Sequence, residues 1–557
     1  MFNISPTILK INNQKISHGQ PSIDFIATLP YDILTTTLNF LPTKDLIELL
    51  HVSKTWRQCV LDCSELWKSI ILYENDGEGG NGINNNNNHN IEKNKTKSPE
   101  LLFDKPTSLN VQDIRLWLPS LPNSLLLQNT DILLLALSMV ANTLEDLHLM
   151  TEQDSISTFI PLFNILSTCR KLKTFIYNDN SLPNRGQLNN NNDDYDDYEQ
   201  VISTIATTQQ LPLINFNYTS FYPQLEIDSK ISKILQHFPH LEQLTLSCID
   251  TDQILSSIQQ HCIKTLKSLV LHHVLCYQAK PMIENDSNSP LQLVTASIHS
   301  TEECADVMIP YLGKSTDTLT TLYVNLRPIA IPTWDVLLTW EFINLRRLTL
   351  SFEELDDNEF IASLIHHLPL LEHVEFEECE YIGFFVINAL GRLEHLRTFS
   401  ISGVIGAEED SLADFFLTCS SRGKDGPLIS VTLDTCHDFI DTCDVLQSLA
   451  EVESIQEIRI RDCSLITEPT MMLFCDKLQC HPSIRLIELN RVGAVTDQIL
   501  VSLCAVQNLT KLELYQLAHI TDEGVSDFKV MNNKVELDIQ GCGLLTDSIP
   551  PPTFHGI

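Results

Sequence analysis

The chain has 557 residues, too many for one ordinary globular core, so several domains or one extended repeat array must account for it. With 43% hydrophobic and 19% charged residues, it has the composition of a folding chain rather than a disordered one. The 72 Asp and Glu against 36 Lys and Arg give a formal net charge of −36, which repels phosphate backbones and anionic lipid headgroups; no nucleic acid and no membrane is expected as a partner, and a protein is, with basic proteins among the candidates.

Residues 1–22 read as an N-terminal tail, with no basic stretch leading into an apolar one, hence no secretory signal. The longest apolar stretch, Ile132 to Val140, is far shorter than the roughly 20 residues a bilayer span needs. The reading is therefore of an intracellular protein, cytoplasmic or nuclear, whose sixteen cysteines are thiols. No C-x-x-C pair occurs, and Cys59 with Cys63 and Cys475 with Cys480 lack the companion pairs of a zinc site, so neither metal nor other cofactor is expected.

Residues 23–73 form the first unit. Leu29-Pro30 opens a helix whose first turn tolerates proline, and Pro42 closes it. Leu34, Leu38 and Leu41 lie at i, i+4 and i+7, giving one apolar stripe. Thr43 caps a second helix bearing Leu46, Leu49 and Leu50, and Ser53 a third bearing Trp56 and Val60. Three short helices make a small core that gains from packing on a partner.

In order, this unit reads L-P-x-x-I (Leu29, Pro30, Ile33), L-P-x-x-D-L (Leu41, Pro42, Asp45, Leu46), V-S-x-x-W-R (Val52, Ser53, Trp56, Arg57) and L-W (Leu66, Trp67), with Leu38 and Leu49 between. It resembles an F-box; the usual acidic residue after L-P-x is Asp32 here. The resemblance implies docking on a Skp-type adaptor, and through it on cullin and RING subunits, with Leu29, Pro30, Ile33, Leu34, Leu38, Leu41, Pro42, Leu46, Leu49, Val52 and Trp56 as candidate contacts. For each of these apolar residues a place in the module's own core is the competing assignment.

Residues 74–100, with the run Asn84 to Asn88, read as an Asn/Gly-rich linker. From 101 to 549 the chain repeats L-x-x-L-x-L, as in Leu345-Arg-Arg-Leu348-Thr-Leu350 and Leu509-Thr-Lys-Leu512-Glu-Leu514. Starts fall at 144, 172, 211, 241, 266, 291, 319, 345, 371, 396, 428, 455, 484, 509 and 534, with one more at Val111. An acidic insertion at 179–200 stretches one step, and residues 550–557 form a C-terminal tail.

Eight residues after four starts fall Cys379, Cys436, Cys463 and Cys542, where other repeats carry Val274, Val492 or Leu517, so the thiol is used as a small buried hydrophobe. Twelve residues after four starts fall Thr467, Thr496, Thr521 and Thr546, each before a helix-compatible segment, which makes them N-caps. Strand, turn and capped helix repeat to give an α/β solenoid, a horseshoe with parallel strands on the concave face and helices on the convex one. These repeats resemble the cysteine-containing leucine-rich-repeat subtype common in F-box proteins.

Phosphate-loop, nucleophile-elbow and H-E-x-x-H motifs are missing from the sequence, and no enzymatic activity is expected. The resemblance implies instead the substrate receptor of an SCF-type ubiquitin ligase, which marks a bound protein for degradation by holding it beside the conjugating enzyme; a non-ligase scaffold or inhibitor is the alternative. Substrate contacts are expected at strand residues alternating with buried ones: His373, Glu375, Arg459, Arg461, Glu488, Lys511, Glu513 and Tyr515.

Overall fold

The computed structural model describes residues 34, 38, 49, 52, 56, 60, 69–72, 112–118, 134, 137–138, 140–151, 162–179, 210–220, 231–247, 251–262, 264–274, 292–301, 312–327, 341–351, 358–379, 381–404, 406–407, 409–436 and 443–543. Their dominant element is one parallel sheet of seventeen strands, from Ser69–Leu72 to Glu536–Gln540. Each strand pairs with its neighbours along the chain, as Arg347–Ser351 does with Thr321–Arg327 on one side and His373–Glu377 on the other. Such a stack of one-strand units is a leucine-rich-repeat solenoid.

Side-chain alternation dictates the geometry. In strands such as His373–Glu377 and Lys511–Tyr515 the second and fourth residues are buried and the others partly open. The register superimposes these buried rows, so that Leu348, Val374, Phe399, Val431, Ile458, Ile487 and Leu512 lie side by side. Each buried Leu, Ile or Phe stabilises the stack by roughly 1.5–3 kcal/mol, and helices such as Asn358–His366, Glu409–Ser420 and Glu468–Leu478 complete one continuous core.

The strands begin two residues after the template's first residue, as anticipated, with two corrections. Strands Asn215–Ser220 and Thr295–Thr301 pair so that the equivalent residues are Leu213 and Leu293, not 211 and 291. Both Leu211-Pro212-Leu213 and Leu291-Gln292-Leu293 offer a leucine two residues early, and pairing selects the second, fully buried one. The sheet also starts upstream of the repeats read from sequence: Ser69–Leu72 pairs in parallel with Asp113–Leu118.

The turn after each strand repeats as closely as the strand itself. Glu378, Thr435, Asp462, Arg491 and Gln516 have φ between 47° and 54°, and Gly403 and Gly541 occupy the same place at 63° and 67°. This left-handed residue turns its N–H toward the last carbonyl of the next strand, as Asp462 does to Asn490 (2.7 Å) and Arg491 to Tyr515 (3.0 Å), adding one more inter-repeat bond. The following residue plunges inward: Cys379, Cys436, Cys463 and Cys542 are buried, as are Val492 and Leu517. Cys379 and Cys463 donate Sγ–H to Leu350 and Leu433 carbonyls of the preceding repeat (3.5 and 3.7 Å), so the thiol packs as valine does while satisfying a backbone acceptor.

Candidate functional site

The candidate contact residues fall on two surfaces. In the amino-terminal module Leu34 and Leu38 are helical and buried, Val60 is fully buried, and Leu49 and Trp56 pack partly against the core. Leu34 and Leu38 therefore hold the module together, whereas Val52, in a turn and 60% exposed, presents an aliphatic side chain outward. The other candidate contacts, Leu29, Pro30, Ile33, Leu41, Pro42 and Leu46, lie outside the described residues.

The second surface is the open face of the sheet. Its substrate candidates separate into three groups. At the carboxyl-terminal end Glu488, only 5% exposed in its side chain, accepts both arms of the Arg461 guanidinium (2.6 and 2.7 Å) and lies 3.4 Å from Arg459. Arg459 also pairs with Glu457 (2.8 Å) and Arg461 with Asp434 (3.7 Å), so the charges of this stretch are met internally. Further along, Lys511 bonds Glu513, and the Tyr515 hydroxyl donates to Asp538 Oδ2 (2.9 Å); burial first, then this bond, raises the phenol's pKa. Centrally, His373 shares a hydrogen bond with Thr398, and burial, then the nearby Arg347 charge, lowers its pKa. Glu375 receives only a 3.3 Å bond from the Ser400 hydroxyl.

Beside these lie groups that the template did not single out. Tyr323 donates its hydroxyl to Glu377, and burial pushes the phenol up to about 12. The Glu377 carboxyl is itself pushed up, first by burial and then by repulsion from Glu375. The sequence signal was present: Glu375-Phe-Glu377-Glu378 puts a second acidic residue on the same face of the strand as Glu375.

The threonines before the helices are architecture. Thr467 and Thr521 accept from the Thr470 and Gly524 amides (3.4 and 3.3 Å), as N-caps do. Thr496 departs from the expectation: it makes no cap bond and donates instead to Glu468 Oε1 of the preceding repeat (2.8 Å). Asp497 likewise accepts from the Thr521 amide and hydroxyl (2.9 and 2.6 Å), so Glu468 and Asp497, the acidic residues after Thr467 and Thr496, each staple their helix to the next repeat. Thr546 lies outside the described residues.

Residues 26–73 match the family model described as F-box-like. The chain thus carries an F-box-like segment ahead of a leucine-rich-repeat solenoid. Among solved structures the chain is similar to the yeast complex of Rad7 and Elc1, at 16% identity and a TM-score of 0.38 over 74% of this chain and 92% of that one. It is also similar to the complex of TLR13 with ssRNA13, at 12% identity and a TM-score of 0.34 over 78% of this chain and 62% of that one. No curated protein matches the sequence.

Proposed function

We propose that the chain is the substrate receptor of an SCF-type ubiquitin ligase: the amino-terminal module docks on a Skp-class adaptor, and through it on cullin and RING subunits, while the sheet's open face binds a protein to be ubiquitinated. The observation that carries this reading is the pairing of Ser69–Leu72 with Asp113–Leu118. The last residues of the F-box-like segment are the first strand of the solenoid, so adaptor and substrate are held by one hydrogen-bonded element. A receptor of this kind accelerates transfer by raising local concentration, and the bond-making chemistry belongs to other subunits. The ten cysteines whose side chains are described are free thiols, which supports a reducing compartment, cytoplasm or nucleus.

The test is co-purification with a Skp-class adaptor and cullin. Val52→Asp, which puts a charge on an exposed aliphatic contact, is expected to reduce capture of both at least tenfold while leaving the thermal melt of the solenoid unchanged. Undiminished capture removes Val52 from the interface, and a folded wild type that captures neither subunit refutes the receptor reading.

A further inference from the structure

Most carboxylates at the carboxyl-terminal end of the open face have a cation beside them, and in the middle Glu372 has Arg346. The Arg459, Arg461 and Glu488 network is self-neutralised, and Lys511 serves Glu513. Glu375 and Glu377 make no ion pair among the described residues. Among the cations whose side chains are described, Arg347 and Arg397 stand at the opposite end, bracketing His373, while Arg327 closes the strand that carries Asn325.

A second, independent observation lies in the same row. Asn325, Ser351 and Glu377 are direct neighbours across three strands, and their side chains leave the sheet on the same face. Asn325 and Ser351 are each only 2% exposed, yet Asn325 Oδ1 and Ser351 Oγ have no hydrogen-bond partner. A buried polar atom without a partner is costly, and among the described residues neither the Asn325 amide oxygen, an acceptor, nor the Ser351 hydroxyl, which can accept or donate, has one. Tyr323 is already engaged by both the Asn325 side chain and Glu377, and the Glu377 carboxyl is half-buried and crowded by Glu375 and Glu378. The group that complements two partly desolvated carboxylates and an amide oxygen is a donor-rich cation.

We infer that the row formed by Tyr323, Asn325, Ser351, Glu375 and Glu377 is a subsite for a basic side chain, an arginine above all, carried by the protein that docks on this face. A guanidinium offers five N–H donors in a planar fork and sheds its hydration more readily than an ammonium, which suits several acceptors on adjacent strands. The chain's net charge of −36 draws a basic partner toward this face at long range, and the row then selects it at contact. The inference rests on the reading of this face as the partner-binding surface.

The test measures fluorescence anisotropy of a labelled peptide of three Gly-Arg-Ser units against the same peptide with citrulline for arginine, at physiological salt, with the full chain. The arginine peptide is expected to bind at least tenfold tighter than the citrulline one. Glu375→Gln with Glu377→Gln is expected to remove that preference without lowering the melting temperature, since it relieves carboxylate repulsion. Glu523→Gln with Glu536→Gln, an equal charge change at exposed positions elsewhere, is expected to change binding less than twofold.

Equal losses in the two double variants overturn the inference in favour of general acidic attraction. Displacement of the peptide by millimolar calcium, with calcium binding lost in the Glu375, Glu377 variant, overturns it in favour of an inorganic cation site. Glu375→Lys with Glu377→Lys provides an independent arm, expected to transfer the preference to a Gly-Glu-Ser peptide. Adaptor capture is measured on the same preparations: peptide binding without capture refutes the ligase reading and leaves the subsite standing, whereas capture without peptide binding refutes the subsite alone.

Discussion

Single residues in this chain act mostly across the boundary between repeats, and their substitution effects follow from that. His481 is buried, donates Nε2–H to the Val452 carbonyl of the preceding repeat (3.0 Å), and accepts at Nδ1 from the Ser483 and Ile484 amides (3.3 and 3.2 Å). Only the neutral ring can do both, and burial lowers its pKa below the usual 6.5. Its contribution to stability is therefore present above pH 6.5 and is lost as pH falls below it, because the unfolded chain takes up the proton first. Melting temperatures between pH 8 and 5 are expected to fall for wild type and to fall less for His481→Gln; identical profiles would contradict this assignment. Gly524 gives a second case. A Cβ there would sit 2.1 Å from Asp497 Oδ1, the carboxylate that staples Thr521. Gly524→Ala is expected to cost about 2 kcal/mol in denaturant unfolding, and much less in an Asp497→Ala background, since the two changes damage one interaction.

At the scale of the repeat, the left-handed turn and the inward residue behind it set what is tolerated. Thr435 is β-branched with φ 54°, a conformation that glycine adopts at Gly403 and Gly541 without penalty. Thr435→Gly is expected to stabilise the chain by about 1 kcal/mol by thermal or denaturant unfolding, and destabilisation would show that the hydroxyl's bond to Asp434 outweighs the strain. Cys463→Val, which copies Val492, is expected to cost less than about 1 kcal/mol by the same measurement. The strands were legible because L-x-x-L-x-L is itself the burial pattern; the register slipped at 211 and 291, where a second leucine satisfies the same spacing and only pairing decides. The first strand was present in the sequence as Trp67-x-x-Ile70-x-Leu72, obscured because Trp67 also ends the F-box pattern. The acceptor row was not legible, because it joins residues 323, 325, 351, 375 and 377 from three strands, and strand order is needed to bring them together. Glu488 shows the converse: alternation places it on the open face, and only the structure reveals that two arginines close over it.

For the molecule as a whole, the proposed function puts recruitment and recognition on one sheet, because the F-box-like segment ends in the solenoid's first strand. A solenoid transmits position through nearest-neighbour contacts, so a module whose last strand is the solenoid's first holds any bound protein at a set distance from the adaptor. The most direct measurement is ubiquitin transfer, in a reconstituted assembly with Skp-class adaptor, cullin and RING subunits, onto a protein that binds the open face. The account predicts transfer with wild type and its loss with Val52→Asp, the protein remaining bound to the solenoid in both. Transfer that persists when adaptor capture is abolished, or a wild type that binds both adaptor and protein yet supports no transfer, would contradict it.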